Sequence, residues 1–157
     1  MEEAIKFFTE GNVKITGSTG RNACEVIRRE AAQHGLSAED LIQLCTIVGK
    51  NSGGVKTSKF LLQCMIPRED VPGEAVMRLL PRLGKQKIPN ALEVEILKWL
   101  TAVFHLVSKD TNLVVASRVL FPLLENAHTS EHASTLLVLM ASKSTATGFT
   151  LRMLERI

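Results

Sequence analysis

The sequence predicts an all-α protein, an α-solenoid of stacked antiparallel helix pairs of the HEAT-like kind. Three observations point there. Apolar residues recur three and four apart through nearly the whole chain, and no segment alternates convincingly as a strand would. The helices group into pairs whose first members begin near positions 2, 37, 73 and 111, an interval of about 35–38 residues that is typical of helical-hairpin repeats. The fixed Trp, Gly and Tyr of tetratricopeptide repeats are missing, so degenerate HEAT-like pairs fit better.

Helices are expected near 2–9, 21–34, 37–48, 55–65, 73–84, 90–107, 111–126, 130–142 and 146–157. The first opens with the amphipathic EEAIKFF. The second ends at His34-Gly35, where a cation suits the terminal carbonyls and glycine suits the cap. In the third, Ser37 followed by Asp40 reads as a capping box, Leu41, Leu44, Cys45 and Val48 share a face, and Gly49 closes the segment. The fourth carries the stripe Phe60, Leu61, Cys64, Met65 and stops before Pro67. Trp99, Leu100, Val103 and Phe104 of the sixth are expected in the central core, against Leu79, Leu80 and the Cys64 stripe. Phe121-Pro122 predicts a kink in the seventh, because proline removes a backbone bond and clashes with the preceding turn. Thr129 and Ser130 open the eighth as caps, with Glu131 in its positive first turn.

The totals narrow the function class. A length of 157 residues suits a single helical-repeat domain over 1–157, and 45% hydrophobic with 22% charged residues is globular composition. Aromatics are 4% with no tyrosine, so the core is aliphatic. The net charge of +3 is mild, and the densest basic cluster along the chain is Arg78, Arg82, Lys85 and Lys87, a solvated turn without aromatic neighbours. DNA contact is therefore expected to be weak and to phosphate only. No run approaches the roughly 18 apolar residues of a membrane span. Three scattered cysteines argue against a disulfide framework and for a reducing cytosolic or nuclear compartment.

Two motifs carry the shape of a catalytic signature without its context. GKNSGGVKT, Gly49–Thr57, nearly spells a phosphate-binding loop, but Val55 separates the last glycine from the lysine and the loop follows a helix rather than a strand. HTSEH, His128–His132, matches the inverted zinc-protease pattern, yet the pattern needs a continuous helix and a third ligand. A zinc hydrolase using His128, Glu131 and His132 is thus the enzyme alternative. His105 sits among Phe104, Leu106 and Val107, and no histidine is placed beside a cysteine. Nothing cationic is expected to flank the Cys64 sulfur and lower its pKa, and the helix end disfavours a thiolate, so Cys64, like Cys24 and Cys45, reads as core. No cofactor and no small-molecule substrate are implied.

The second half is unusually apolar. Between Asn112 and Leu124 the only charge is Arg118, and between Ala133 and Met140 there is none. Helices apolar nearly all round are buried on more than one side. Val114, Val115, Val119, Val138 and Leu139 lie on faces beyond those a hairpin needs, and are expected to meet a partner or following repeats. The pattern is still running at LRMLERI, so the chain is expected to be the N-terminal fragment of a longer solenoid.

FLLQCMIP, EEAIKFFTEGNVK, SAEDLIQLCTIV and VEILKWLTAVFHLV together resemble the N-terminal region of the centromere protein I family. The resemblance runs from about Glu2 to Val107 and more weakly beyond, with LQCMIP and KWL its most specific parts. It implies a HEAT-like, non-enzymatic subunit of the constitutive inner kinetochore, nuclear and centromere-bound. It implies the coiled-coil centromere proteins H and K as partners, and in animals the GTPase-like centromere protein M. The alternative within the same fold is a HEAT-like scaffold of another nuclear or cytoplasmic assembly.

Overall fold

The computed structural model describes residues 1–9, 15, 17–84, 88–108 and 111–143. Its α-helices are α1 Glu2–Thr9, α2 Ser18–His34, α3 Ala38–Lys50, α4 Gly54–Cys64, α5 Gly73–Leu79, α6 Asn90–Val103, α7 Leu113–Leu120 and α8 Ser130–Lys143. Tight 3-10 turns at Leu80–Arg82, Phe104–Leu106 and Phe121–Glu125 extend α5, α6 and α7. The helix expected over 146–157, and Lys85 and Lys87, lie outside the described residues.

The helices build two layers. In one, α1 packs on α3, α3 on α5, and α7 on the turn that follows α5. In the other, α2 packs on α4, α4 on α6 and α6 on α8. Between layers, α1 meets α2, α3 meets α4 and α7 meets α8. One continuous, mainly aliphatic core fills the space between, from Ile5 and Ile27 through Leu44, Leu61 and Leu79 to Leu97, Leu120 and Leu137.

Local chemistry explains the helix ends. Ser37 caps α3 with the reciprocal box expected, Asp40 N–H donating to its hydroxyl at 3.2 Å and Ser37 N–H donating back to the Asp40 carboxylate at 3.3 Å. Gly49 does not close α3. The helix runs one residue further and stops at Asn51, in the left-handed region at φ 51°. Gly49 is buried where α3 meets α5, and a Cβ there would stand 2.9 Å from the Arg78 carbonyl oxygen. The glycine thus serves close helix approach rather than termination.

The three 3-10 turns replace continuations that the sequence reading treated as α-helix. Pro81 and Pro122 each lack an N–H and stand in the first turn of their 3-10 segment, so the α ladder ends just before each. At Phe121-Pro122, where a kink is expected, the α-helix gives way to a 3-10 turn. Asn112 caps α7 by accepting from Val115 N–H at 3.1 Å. Thr129 stands just ahead of α8 but does not cap with its side chain; its buried hydroxyl donates inward to the Leu123 carbonyl at 2.8 Å.

The loops leaving α2, α4 and α6 are laced to one another. Leu36 N–H donates to Ile66 C=O at 2.8 Å and Arg68 N–H donates back to Leu36 C=O at 3.0 Å. Val71 N–H donates to Leu106 C=O at 2.8 Å, and Ser108 N–H donates to Val71 C=O at 2.9 Å. Side chains complete the lacing. Trp99 Nε1 donates to Met65 C=O at 2.8 Å, and Arg68 Nε donates to His34 C=O at 2.9 Å.

Trp99, Leu100, Val103 and Phe104 are all buried, as the sequence predicts. A cavity of about 20 Å³ lies beside them, lined by Val76, Leu80, Leu100, Thr111, Leu120 and Leu136 among others. The Thr111 hydroxyl is buried and has no hydrogen-bond partner among the described residues. Two stability outcomes follow, both readable by chemical denaturation. Leu100→Ala enlarges the cavity and should destabilise by about 2–5 kcal/mol. Thr111→Val removes an unsatisfied hydroxyl at near-constant shape and should stabilise by about 1 kcal/mol; equal midpoints for wild type and Leu100→Ala would remove Leu100 from the core.

Candidate partner-binding face

The five apolar residues expected to meet a partner do not form a single stripe. Val114, Val115 and Val138 are 51%, 37% and 62% exposed, whereas Val119 and Leu139 are half-buried and pack against the core. Successive helix residues are rotated about 100°. Val115 and Val119, four apart on α7, therefore share a side, while Val114 turns to the side of Arg118. On α8, Val138 shares its side with Glu131, Ser134 and Thr135, all exposed. The coherent apolar edge is Val115 with Val119, and Val138 is an isolated valine of the sort ordinary surfaces carry.

The motif residues take structural places. Gly49–Thr57 is the α3–α4 connector: Asn51 turns the chain, Gly53 precedes α4, and Ser58 Oγ donates to Asn51 Oδ1 at 3.0 Å. No strand leads into it. His128 lies in the turn before α8, its N–H donating to Asn126 Oδ1 at 3.0 Å, while His132 lies within the helix. The continuous helix that would put both imidazoles on one zinc is therefore not there. Among the described residues no group of three His, Cys, Asp or Glu is arranged to hold a metal ion. His34 closes α2 and pairs with Glu30 at 3.5 Å.

The three cysteines are buried free thiols. Burial, with a lesser push from Cys64, raises the Cys24 thiol to about 11. Burial alone drives Cys45 well above the usual thiol range, and burial also raises Cys64. One expectation needs correcting here. A cation does flank the Cys64 sulfur: Arg28 reaches across from α2, and its positive charge offsets part of that rise. Its guanidinium carbon also sits 5.3 Å from the centre of the Phe60 ring, a cation–π contact. Linear sequence hid this because Arg28 and Cys64 belong to different repeats.

With the two-layer stack and its faces defined, comparison with known proteins has a clear result. The family model CENP-I: Mis6 matches residues 1–157. The chain belongs to the centromere protein I family. The fold agrees with two solved structures. A crystal structure of centromere protein Cenp-I superposes with a TM-score of 0.79 at 23% sequence identity, covering 96% of this chain and 74% of that one. The crystal structure of the kinetochore subunits Cenp-H/I/K triple complex gives 0.78 at 23% identity, covering 96% of this chain and 73% of that one. Among the described residues, no helix of this centromere protein I family member is long and apolar enough to cross a membrane.

The thiols supply a test. A raised thiol pKa keeps the folded state protonated where the unfolded chain ionises, so this contribution to stability is full below about pH 9, the ordinary thiol value, and fades as pH rises toward the folded values. Denaturation midpoints should therefore fall above about pH 9, and iodoacetamide at pH 8 should leave all three cysteines unmodified until the chain unfolds. Rapid alkylation of Cys64 in the native protein would show its sulfur to be exposed and activated.

Proposed function

We propose that this chain is a non-enzymatic scaffold subunit of the constitutive inner kinetochore, acting in the nucleus at centromeres during chromosome segregation. The observation that carries the reading is the centromere protein I family match along the whole of residues 1–157. The coiled-coil centromere proteins H and K are its partners, a reading supported by a relative of the same fold having been crystallised in a Cenp-H/I/K complex. Centromere protein M is a further partner, and any DNA contact is weak and confined to phosphate. The two layers of packed helices suit this role, because a solenoid presents long surfaces to extended partners. The apolar edge of Val115 and Val119 on α7, with Leu139 of the neighbouring α8, is the proposed docking region.

Co-purification with the centromere protein H–K pair tests the function, and point variants test the region. Wild type should form a stoichiometric complex on size exclusion. Val115→Glu should keep the wild-type circular dichroism and weaken the complex, since an unpaired charge is costly to bury in an interface. Leu139→Glu, at a half-buried position packed against the core, should weaken the complex and also lower the melting temperature. Normal binding by both variants would move the docking site off α7 and α8, and a wild-type chain that ignores the pair would overturn the functional reading.

A further inference from the structure

The second layer brings together cations that are far apart in the sequence. Arg21, Arg28 and Arg29 of α2 and Lys56 and Lys59 of α4 are exposed or half-exposed on neighbouring helices in packing contact. On α2, Arg21 and Arg28 are two turns apart on one stripe; on α4, Lys56 lies one turn before Phe60. The contact of Arg28 with Phe60 fixes the two stripes side by side.

These charges are available. Some cations elsewhere are engaged locally, Arg78 with Glu74 at 2.7 Å, Lys98 with Glu95 at 3.4 Å and Arg68 with the carbonyls that end α2, while Lys50, Arg82 and Arg118 stand on separate helices and turns. Arg21, Arg29, Lys56 and Lys59 make no ion pair among the described residues. Of the carboxylates on α2, Glu30 is turned to His34, which leaves Glu25 as the one anion inside the row.

We infer that the α2–α4 face is a docking surface for an acidic helix of the protein partner, distinct from the apolar edge on α7 and α8. Three features favour a helix over nucleic acid. Glu25 lies between Arg21 and Arg28, where it repels a phosphate chain carrying a charge about every 1.7 Å but accepts a cation from a mixed-charge helix. The one aromatic ring in the row, Phe60, is covered by Arg28, so no base can stack on it. The exposed cations of α2 recur over about two helical turns, a spacing that carboxylates repeating every turn on a partner helix can match.

The assignment rests on the proposed H–K partnership, so the test separates the two. The variant Arg21→Glu/Arg29→Glu/Lys56→Glu/Lys59→Glu leaves Arg28 and every buried residue in place. Binding is titrated against the purified centromere protein H–K pair and, separately, against a duplex of about 30 base pairs. The variant should melt like wild type and bind the pair at least about tenfold more weakly in low salt, with the gap closing as ionic strength rises and screening shortens. The milder Arg21→Gln/Lys56→Gln should show a smaller loss in the same direction, and guards against misfolding of the reversed variant. Wild-type binding by both variants overturns the docking assignment alone. Loss of duplex binding with the pair unaffected also overturns it and makes the face a phosphate surface. A wild-type chain that does not bind the pair overturns the functional reading and this assignment with it.

Discussion

Every α-helix ends with carbonyls that its own ladder does not satisfy, and the architecture here turns on how α2 and α4 meet that need. Their carbonyls are not left to water. Arg68, from the loop after α4, donates to the last carbonyl of α2, and Trp99 of α6 donates to the carbonyl that follows α4. Main-chain bonds between the loops at Leu36, Ile66, Arg68, Val71, Leu106 and Ser108 run alongside. Each repeat is therefore completed by polar groups of the next. Apolar packing supplies most of the stabilisation, but it is non-directional; this lacing is what holds successive pairs in register.

Close approach in the first layer works with that register. Gly49 lets α3 come within contact of the α5 backbone, while Gly35, in the left-handed region at φ 69°, lets the chain pass the Arg68 backbone, where a Cβ would come within 2.7 Å. The seam between α5–α6 and α7–α8 is looser. It holds the small cavity and the unpartnered Thr111 hydroxyl. Three helices meeting there end in 3-10 turns, two of them at proline. A tightened last turn directs side chains differently from an α turn, and the fit between pairs is correspondingly less complete.

The chemistry of the buried groups agrees with a scaffold. The thiols are protonated and enclosed. Arg28 has its guanidinium on Phe60 and the Cys64 sulfur while its helix face stays open. Glu93, buried on α6, accepts from Gly84 N–H at 2.7 Å and so holds the turn after α5 rather than any ligand. Polar groups in this core maintain backbone geometry, and the unengaged charge lies outside.

The helical class, the pairing period, the Ser37–Asp40 cap, the burial of the Trp99 segment and the break of α7 at Pro122 were all legible in the sequence, because each depends on residues within one or two turns. The family resemblance was legible for the same reason, through short stretches such as LQCMIP. Tertiary structure alone decided the rest. Gly49 looks like a terminator until α5 is set against it, and Arg28 has no visible tie to Cys64 until α2 and α4 are neighbours. The five apolar residues of α7 and α8 were grouped by apolar content along the chain; the 100° step of the helix and the choice of packed side divide them. Arg21, Arg29, Lys56 and Lys59 could not be seen as a group at all. Local propensity is written in consecutive residues, whereas a surface is made of side chains from different repeats, and which of those meet is set by packing distance and helix phase.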